Sequence, residues 1–259
     1  MRGSKGFVSV MYVAAVLLGV FTISWADASD HEATIRTPVP KRWMPRTSSK
    51  CKATKGSRMR MCDGPRRTPE PYGPAALEAD ELGLGTLEVG RKLLRDGPRP
   101  EWAAAVRGTS KSTLLWPIEA GKFGRGFGYV RKELKSLRHN GVDVGAKVGE
   151  LVRSLNDGIV AYSDNQIKGF GNTVVVIHKD RSVSFYCHLQ ANYLFAGQQV
   201  KRGQVVGEVG LTGITRGPHL HFEWHQDGDA RDPMARMVGQ PTRQRESMTD
   251  FHDATPLSI

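Results

Sequence analysis

Gly217-Pro218-His219-Leu220-His221-Phe222-Glu223 is the stretch from which the fold can be read. Successive side chains of an extended strand leave opposite faces, so His219 and His221 project together while Leu220 and Phe222 turn the other way. An apolar face suits a core, which makes this a half-buried strand with its imidazoles on the open side. An earlier stretch, Arg138-His139-Asn140-Gly141-Val142-Asp143, supplies a partner. Gly141 argues against a helix there, and an extended reading puts His139 and Asp143 on one face. Three nitrogen or oxygen ligands with one open position are what a catalytic zinc site requires, because the open position holds water. His-x-His alone is a weak signal, since a strand can carry two histidines for no chemical reason; the combined set is far more specific.

When His188 is added from Phe185-Tyr186-Cys187-His188-Leu189, the order is H-x-x-x-D, then H-L, then G-P-H-L-H-F-E. This order resembles the lysostaphin-like (LytM-type) zinc metalloendopeptidases of the duplicated hybrid motif fold, which cut peptide bonds in bacterial peptidoglycan. The similarity runs from about Trp116 to Pro233 and takes in Phe127-Gly128-Tyr129, Asp157-Gly158-Ile159-Val160 and Gly169-Phe170-Gly171-Asn172. The resemblance implies that His139, Asp143 and His221 hold one Zn2+ per chain, with His188 and His219 as the catalytic pair beside it. Of that pair, His219 is expected as general base and His188 on the oxyanion side. The implied fold is all-β, a compact antiparallel β-sheet sandwich with the metal groove across one sheet. The implied function is hydrolysis of peptidoglycan crosslinks by an exported zinc endopeptidase. Two alternatives stay open: a non-catalytic wall-binding or amidase-activating relative, and a family member that cleaves protein. Arg216 departs from the pattern, standing where a small hydroxyl residue is usual.

The short apolar runs agree with that fold. Gly158 to Tyr162, Thr173 to Ile177, Val183 to Tyr186, Gln204 to Val209 and Leu220 to Trp224 are separated by Gly, Asp and Asn turns, as in an antiparallel sheet. Alternation fails in Thr173-Val174-Val175-Val176-Ile177, which predicts a strand covered on both faces.

Around this region the chain changes character. Residues 1–28 read as a signal peptide or N-terminal anchor: Arg2 and Lys5, an uncharged run from Phe7 to Trp25, then small residues suited to cleavage. Residues 29–74 form a basic, Pro-rich linker, in which eleven Lys and Arg between Arg36 and Arg67 face only Asp63. Such a segment buries too little apolar surface to offset its ordering entropy and is expected to be disordered. Residues 75–113 carry short helix-like patches, 114–234 the catalytic domain, and 235–259 a polar tail.

With a net charge of +11, the chain favours an anionic partner, and the arm is read either as a tether to anionic wall polymer or membrane surface or as a plain spacer. No nucleic-acid motif accompanies the charge, so nucleic acid is not expected as a partner. The expected location is the periplasm or cell envelope, with secretion open, and the expected state is a monomer acting on peptidoglycan.

Cys51 and Cys62 could close a disulfide in an oxidising compartment, and Cys187 is expected as a buried, inert thiol. Glu223 could orient a ligand or sit in a solvated salt bridge, and His225 is expected at an exposed strand end. His178, in a polar turn, is expected on the surface. Tyr129 either assists the oxyanion or packs, and Asn172 shapes a turn.

Overall fold

The computed structural model describes residues 51–53, 60–62, 68–130 and 138–239. The expected export segment, most of the basic arm and the tail from residue 240 lie outside the described residues. Three short helices come first: α1 (Gly73–Leu82), α2 (Leu87–Arg95) and α3 (Pro100–Ala104). Local chemistry sets their limits. Pro74 starts α1 and Gly83, at φ 65°, ends it, while the Thr86 hydroxyl caps α2 by accepting from Val89 N–H.

Thirteen strands follow Leu114 among the described residues, preceded by a hairpin of β1 (Cys51–Ala53) and β2 (Arg60–Cys62). They are β3 (Leu114–Leu115), β4 (Lys122–Phe123), β5 (Val142–Gly145), β6 (Leu151–Arg153), β7 (Gly158–Asp164), β8 (Asn172–His178), β9 (Ser182–Asn192), β10 (Gln199–Val200), β11 (Val205–Val209), β12 (Gly213–Thr215), β13 (His219–Gln226), β14 (Asp229–Arg231) and β15 (Met237–Val238). The main sheet runs β10-β7-β8-β9-β13-β5-β4, with β14 beside β13 and with β11 joining β9 to β6. Its pairings are all antiparallel, as expected from the sequence.

Each face of the sheet closes its own core. Val174, Val176, Tyr186, Leu220 and Phe222 point into one, which also holds Val206, Leu114 and Met237. Val175, Ile177, Phe185 and Cys187 point into the other, where Leu93, Trp102 and Val106 from the helical segment cover them. The poor alternation of β8 is thereby explained, since every residue of that strand is buried.

Two stretches differ from their expected character. The span read as a disordered linker contains the β1–β2 hairpin, and β2 pairs with β12. Backbone hydrogen bonding to a sheet edge supplies order that side-chain composition does not signal. The register sets Cys51 opposite Cys62 along the backbone; the expected disulfide, a matter of side chains, lies outside what is described. At the other end, β15 lies beyond the expected domain limit. It pairs in parallel with β3, and Trp116 N–H donates to Val238 O at 2.8 Å.

Candidate metal centre

β13 and β5 lie side by side with His221 opposite Asp143 and Leu220 opposite Val144. The register puts the apolar pair in the core and the polar pair above it. His139 sits just before β5, with its backbone N–H donating to Tyr129 O. Gly141 lets the chain pass this close, because a Cβ there would stand 2.3 Å from Phe222 O and 2.9 Å from His221 Cε1.

His188 reaches the same place by a different device. Between Tyr186 and Leu189 of β9 the register against β8 slips by one residue, so two residues oppose Thr173. His188 takes the left-handed conformation at φ 62°, which is rare outside glycine. Strict alternation from Tyr186 would have aimed His188 into the first core; instead Leu189 takes that position, and the imidazole turns toward His219, with ring centroids 4.9 Å apart. Cys187 stays fully buried in the helix-covered core, where burial and the nearby Glu223 carboxylate push its thiol well above the ordinary range.

The imidazole protons are assigned by what the second nitrogen touches. His139 donates Nδ1–H to Gly126 O at 2.9 Å, and His221 donates Nε2–H to Glu223 Oε1 at 3.0 Å. That leaves His139 Nε2, His221 Nδ1 and Asp143 Oδ1 facing one another, each pair 3.0 Å apart. Three donor atoms converging on one point call for a cation among them, either the proton that the Asp143 carboxylate holds on His221 or a metal ion that displaces it. Donors around a tetrahedral zinc with bonds of about 2.0–2.1 Å lie about 3.3 Å apart, so this triangle fits such an ion with little adjustment.

Charge is concentrated there. Burial would raise the Asp143 carboxyl, but hydrogen bonds from His139 and His221 hold it well below the usual carboxylate range. Burial would lower His221, yet Asp143 and Glu223 outweigh it and lift the imidazole to about 9. Glu223, buried between His221 and His225, is held down at about 2 against its own desolvation.

The other two histidines present bare nitrogens to the groove. His188 donates Nδ1–H to Thr212 O at 2.8 Å, and burial with the neighbouring His219 and His221 lowers it to about 3. His219 donates Nδ1–H to Gly217 O at 2.8 Å, and its Nε2 lies 3.7 Å from Asp143 Oδ1. Burial lowers His219 too, although the Asp143 charge opposes the shift. A groove of about 220 Å³ opens over these residues, walled by Arg125, Lys168, Ile214 and Arg216.

Not every candidate joins the site. Tyr129 holds His139 through its backbone carbonyl, but its side chain is 49% exposed and does not line the groove. His178, expected on the surface, is wholly buried: it donates Nδ1–H to Asp157 O at 2.7 Å and its Nε2 meets Ser184 Oγ at 2.9 Å. His225 is buried as well, with Nε2 2.7 Å from Glu223 Oε2 and its ring centroid 4.8 Å from that of Phe185, a residue of the core that the helical segment covers. Asn172 does shape its turn, its N–H donating to Thr212 Oγ1 and its Nδ2 to Gln190 O. The sequence reading did not single out Thr212, Gly126 and Gly217, whose carbonyls set three tautomers, or Arg125, which lies 3.6 Å from Asp143. A carbonyl leaves no mark on residue identity, so no signal for the first three was available.

Residues 137–233 match the family model described as Peptidase family M23. Over 143 residues the chain is 34% identical to cell division protein DipM of Caulobacter vibrioides, covering 55% of this chain and 23% of that protein. Over 112 residues it is 38% identical to peptidoglycan DD-endopeptidase ShyC of Vibrio cholerae, covering 43% and 24%. Over 126 residues it is 32% identical to murein hydrolase activator NlpD of Escherichia coli, covering 49% and 31%. The chain thus spans less than a third of the length of these curated relatives.

Proposed function

Since residues 137–233 match the model of Peptidase family M23, we propose that this chain is an exported zinc metalloendopeptidase that hydrolyses peptide crosslinks of bacterial peptidoglycan. One observation carries the reading: donor atoms of two imidazoles and a carboxylate mutually 3.0 Å apart, with two more imidazoles turning bare Nε2 atoms into the same groove. A relative named as a peptidoglycan endopeptidase supports the substrate class, and the apolar segment after Lys5 supports export.

His139, Asp143 and His221 would hold the ion. Zinc there supplies Lewis acidity, lowering the pKa of water to around 7. The protein's own groups do the rest. His219 Nε2 accepts a proton from the attacking water, and the Asp143 carboxylate 3.7 Å away steadies the resulting imidazolium. The same Nε2–H then donates to the leaving amine. His188 has committed its single proton to Thr212 O, so its Nε2 accepts a hydrogen bond and orients the water. An oxyanion role for His188 would require an Nε2–H that the neutral ring does not have. Glu223 fixes the His221 tautomer from behind.

The likeness to a murein hydrolase activator gives a second reading, in which the groove binds wall without cutting it. Zinc content and digestion of purified peptidoglycan distinguish the two, measured on the wild-type chain, His219→Ala and His221→Ala. The expected result is about one zinc per wild-type chain and conversion of crosslinked muropeptides to monomers. His219→Ala keeps its zinc and loses turnover by about 10²–10⁴-fold, the usual size of a general-base contribution; His221→Ala loses the metal. Zinc without cleavage in the wild type overturns the hydrolase reading in favour of the binding one.

A further inference from the structure

Building on the hydrolase reading, we infer that Lys168 and Arg216 form a carboxylate clamp on one wall of the groove, and that the substrate is a peptide bearing a free carboxylate next to the scissile bond. Both side chains line the groove that holds the metal donors, and both are exposed. Among the described residues neither has an ion-pair or hydrogen-bond partner. Arg125, which lines the same groove, is by contrast tied to Asp143 at 3.6 Å.

The backbone holds the two cations in one wall. Ile214 N–H donates to Gly169 O at 2.9 Å, which stitches the turn carrying Lys168 to β12, and β12 leads directly into Arg216. A Cβ on Gly213 would meet Gly169 O at 2.5 Å, so the two segments touch without side chains between them. Thr215 fixes the other side of Arg216, since its Oγ1 accepts from Gly217 N–H at 3.1 Å and lies 3.3 Å from His219 Nδ1. The arginine is thereby anchored beside the proposed base. Two uncompensated cations lining one groove repel, and a planar carboxylate relieves both, with the guanidinium fork matching its two oxygens. A neutral crosslink would gain nothing from this wall.

The test uses two synthetic crosslinked peptides, identical except that the carboxylate flanking the scissile bond is a carboxamide in one. Hydrolysis of both is measured with the zinc-loaded wild-type chain, with Lys168→Ala/Arg216→Gln, and with Arg91→Ala/Arg95→Ala on α2 as a charge-matched control. The wild type is expected to favour the carboxylate peptide by about 10- to 100-fold in kcat/KM, the range of one or two charge-assisted hydrogen bonds. In the groove variant that preference collapses toward 1 through the KM of the carboxylate peptide, and in the α2 control it persists. Equal rates for the two peptides in the wild type overturn the clamp and leave the hydrolase reading standing, as does a preference that survives in the groove variant. If the wild type cuts neither peptide, the hydrolase reading falls, and equal dissociation constants for the two peptides would overturn the clamp as well.

Discussion

Glu223 shows how much a single buried side chain can control. Its two oxygens accept from His221 at 3.0 Å and contact His225 at 2.7 Å, so one carboxylate sets the tautomer of a metal donor and holds the imidazole behind it. Removing its charge while keeping its shape leaves the fold intact and weakens the orientation of His221. Glu223→Gln is therefore expected to lower zinc affinity by about 10- to 100-fold, the usual size of such an outer-layer effect. Competition with a chromophoric zinc chelator measures this, and an unchanged affinity would assign Glu223 a packing role only. His188 teaches the complementary lesson. Its φ of 62° costs of order 1–3 kcal/mol in a non-glycine residue, and the surrounding β9 pairings and the bond to Thr212 O are what hold it there.

At the level of elements, the turn before β8 and the turn before β12 lock together to support His188. Gly171, at φ 67°, allows the contact: a Cβ there would stand 2.3 Å from Thr212 Oγ1. Gly171→Ala forces either strain or a shift of Thr212, so urea melts are expected to show a loss of about 1–3 kcal/mol. Turnover should fall further than the folded fraction does, because Thr212 O orients His188; a variant with normal stability and normal turnover would sink this account. β8 ends in His178, which ties the start of β7 to β9 through Asp157 O and Ser184 Oγ. Burial lowers its pKa below 6.5. Because the unfolded chain then takes up the proton first, this contribution to stability is whole above about pH 6.5 and shrinks as pH falls below it. Unfolding free energies measured from pH 7.5 to 5 should decline more steeply for the wild type than for His178→Gln, whose side chain does not titrate. Parallel curves would show that His178 does not contribute.

For the whole molecule, the metal donors come from β13 and from β5 with the residues just before it, segments far apart in sequence that are neighbours in the main sheet, so an ion bound there bridges β5 and β13. A ligand that binds the folded chain alone stabilises it by about 4 kcal/mol at a thousandfold excess over its Kd. Adding a chelator should lower Tm by several degrees in the wild type and leave His221→Ala unmoved. An equal drop in both would mean the chelator acts elsewhere. The three helices line no part of the groove and contribute instead to the second core, so their loss would register as instability and not as altered substrate preference.

By itself the sequence determined the antiparallel fold, the strand through His219 and His221, and the candidate donor set, because period-two patterning and donor chemistry are written in residue types. It also marked β8 as covered on both faces, since Val174, Val175 and Val176 admit no polar side. Only the tertiary structure decided that His178 and His225 are buried, because the covering layer comes from segments remote in sequence. The turn of His188 toward the groove was likewise decided there, since a one-residue bulge reverses a strand's parity without changing its composition. The proton positions on His139, His188 and His219 depend on backbone carbonyls, which every residue carries alike, so they too had to wait for the folded chain.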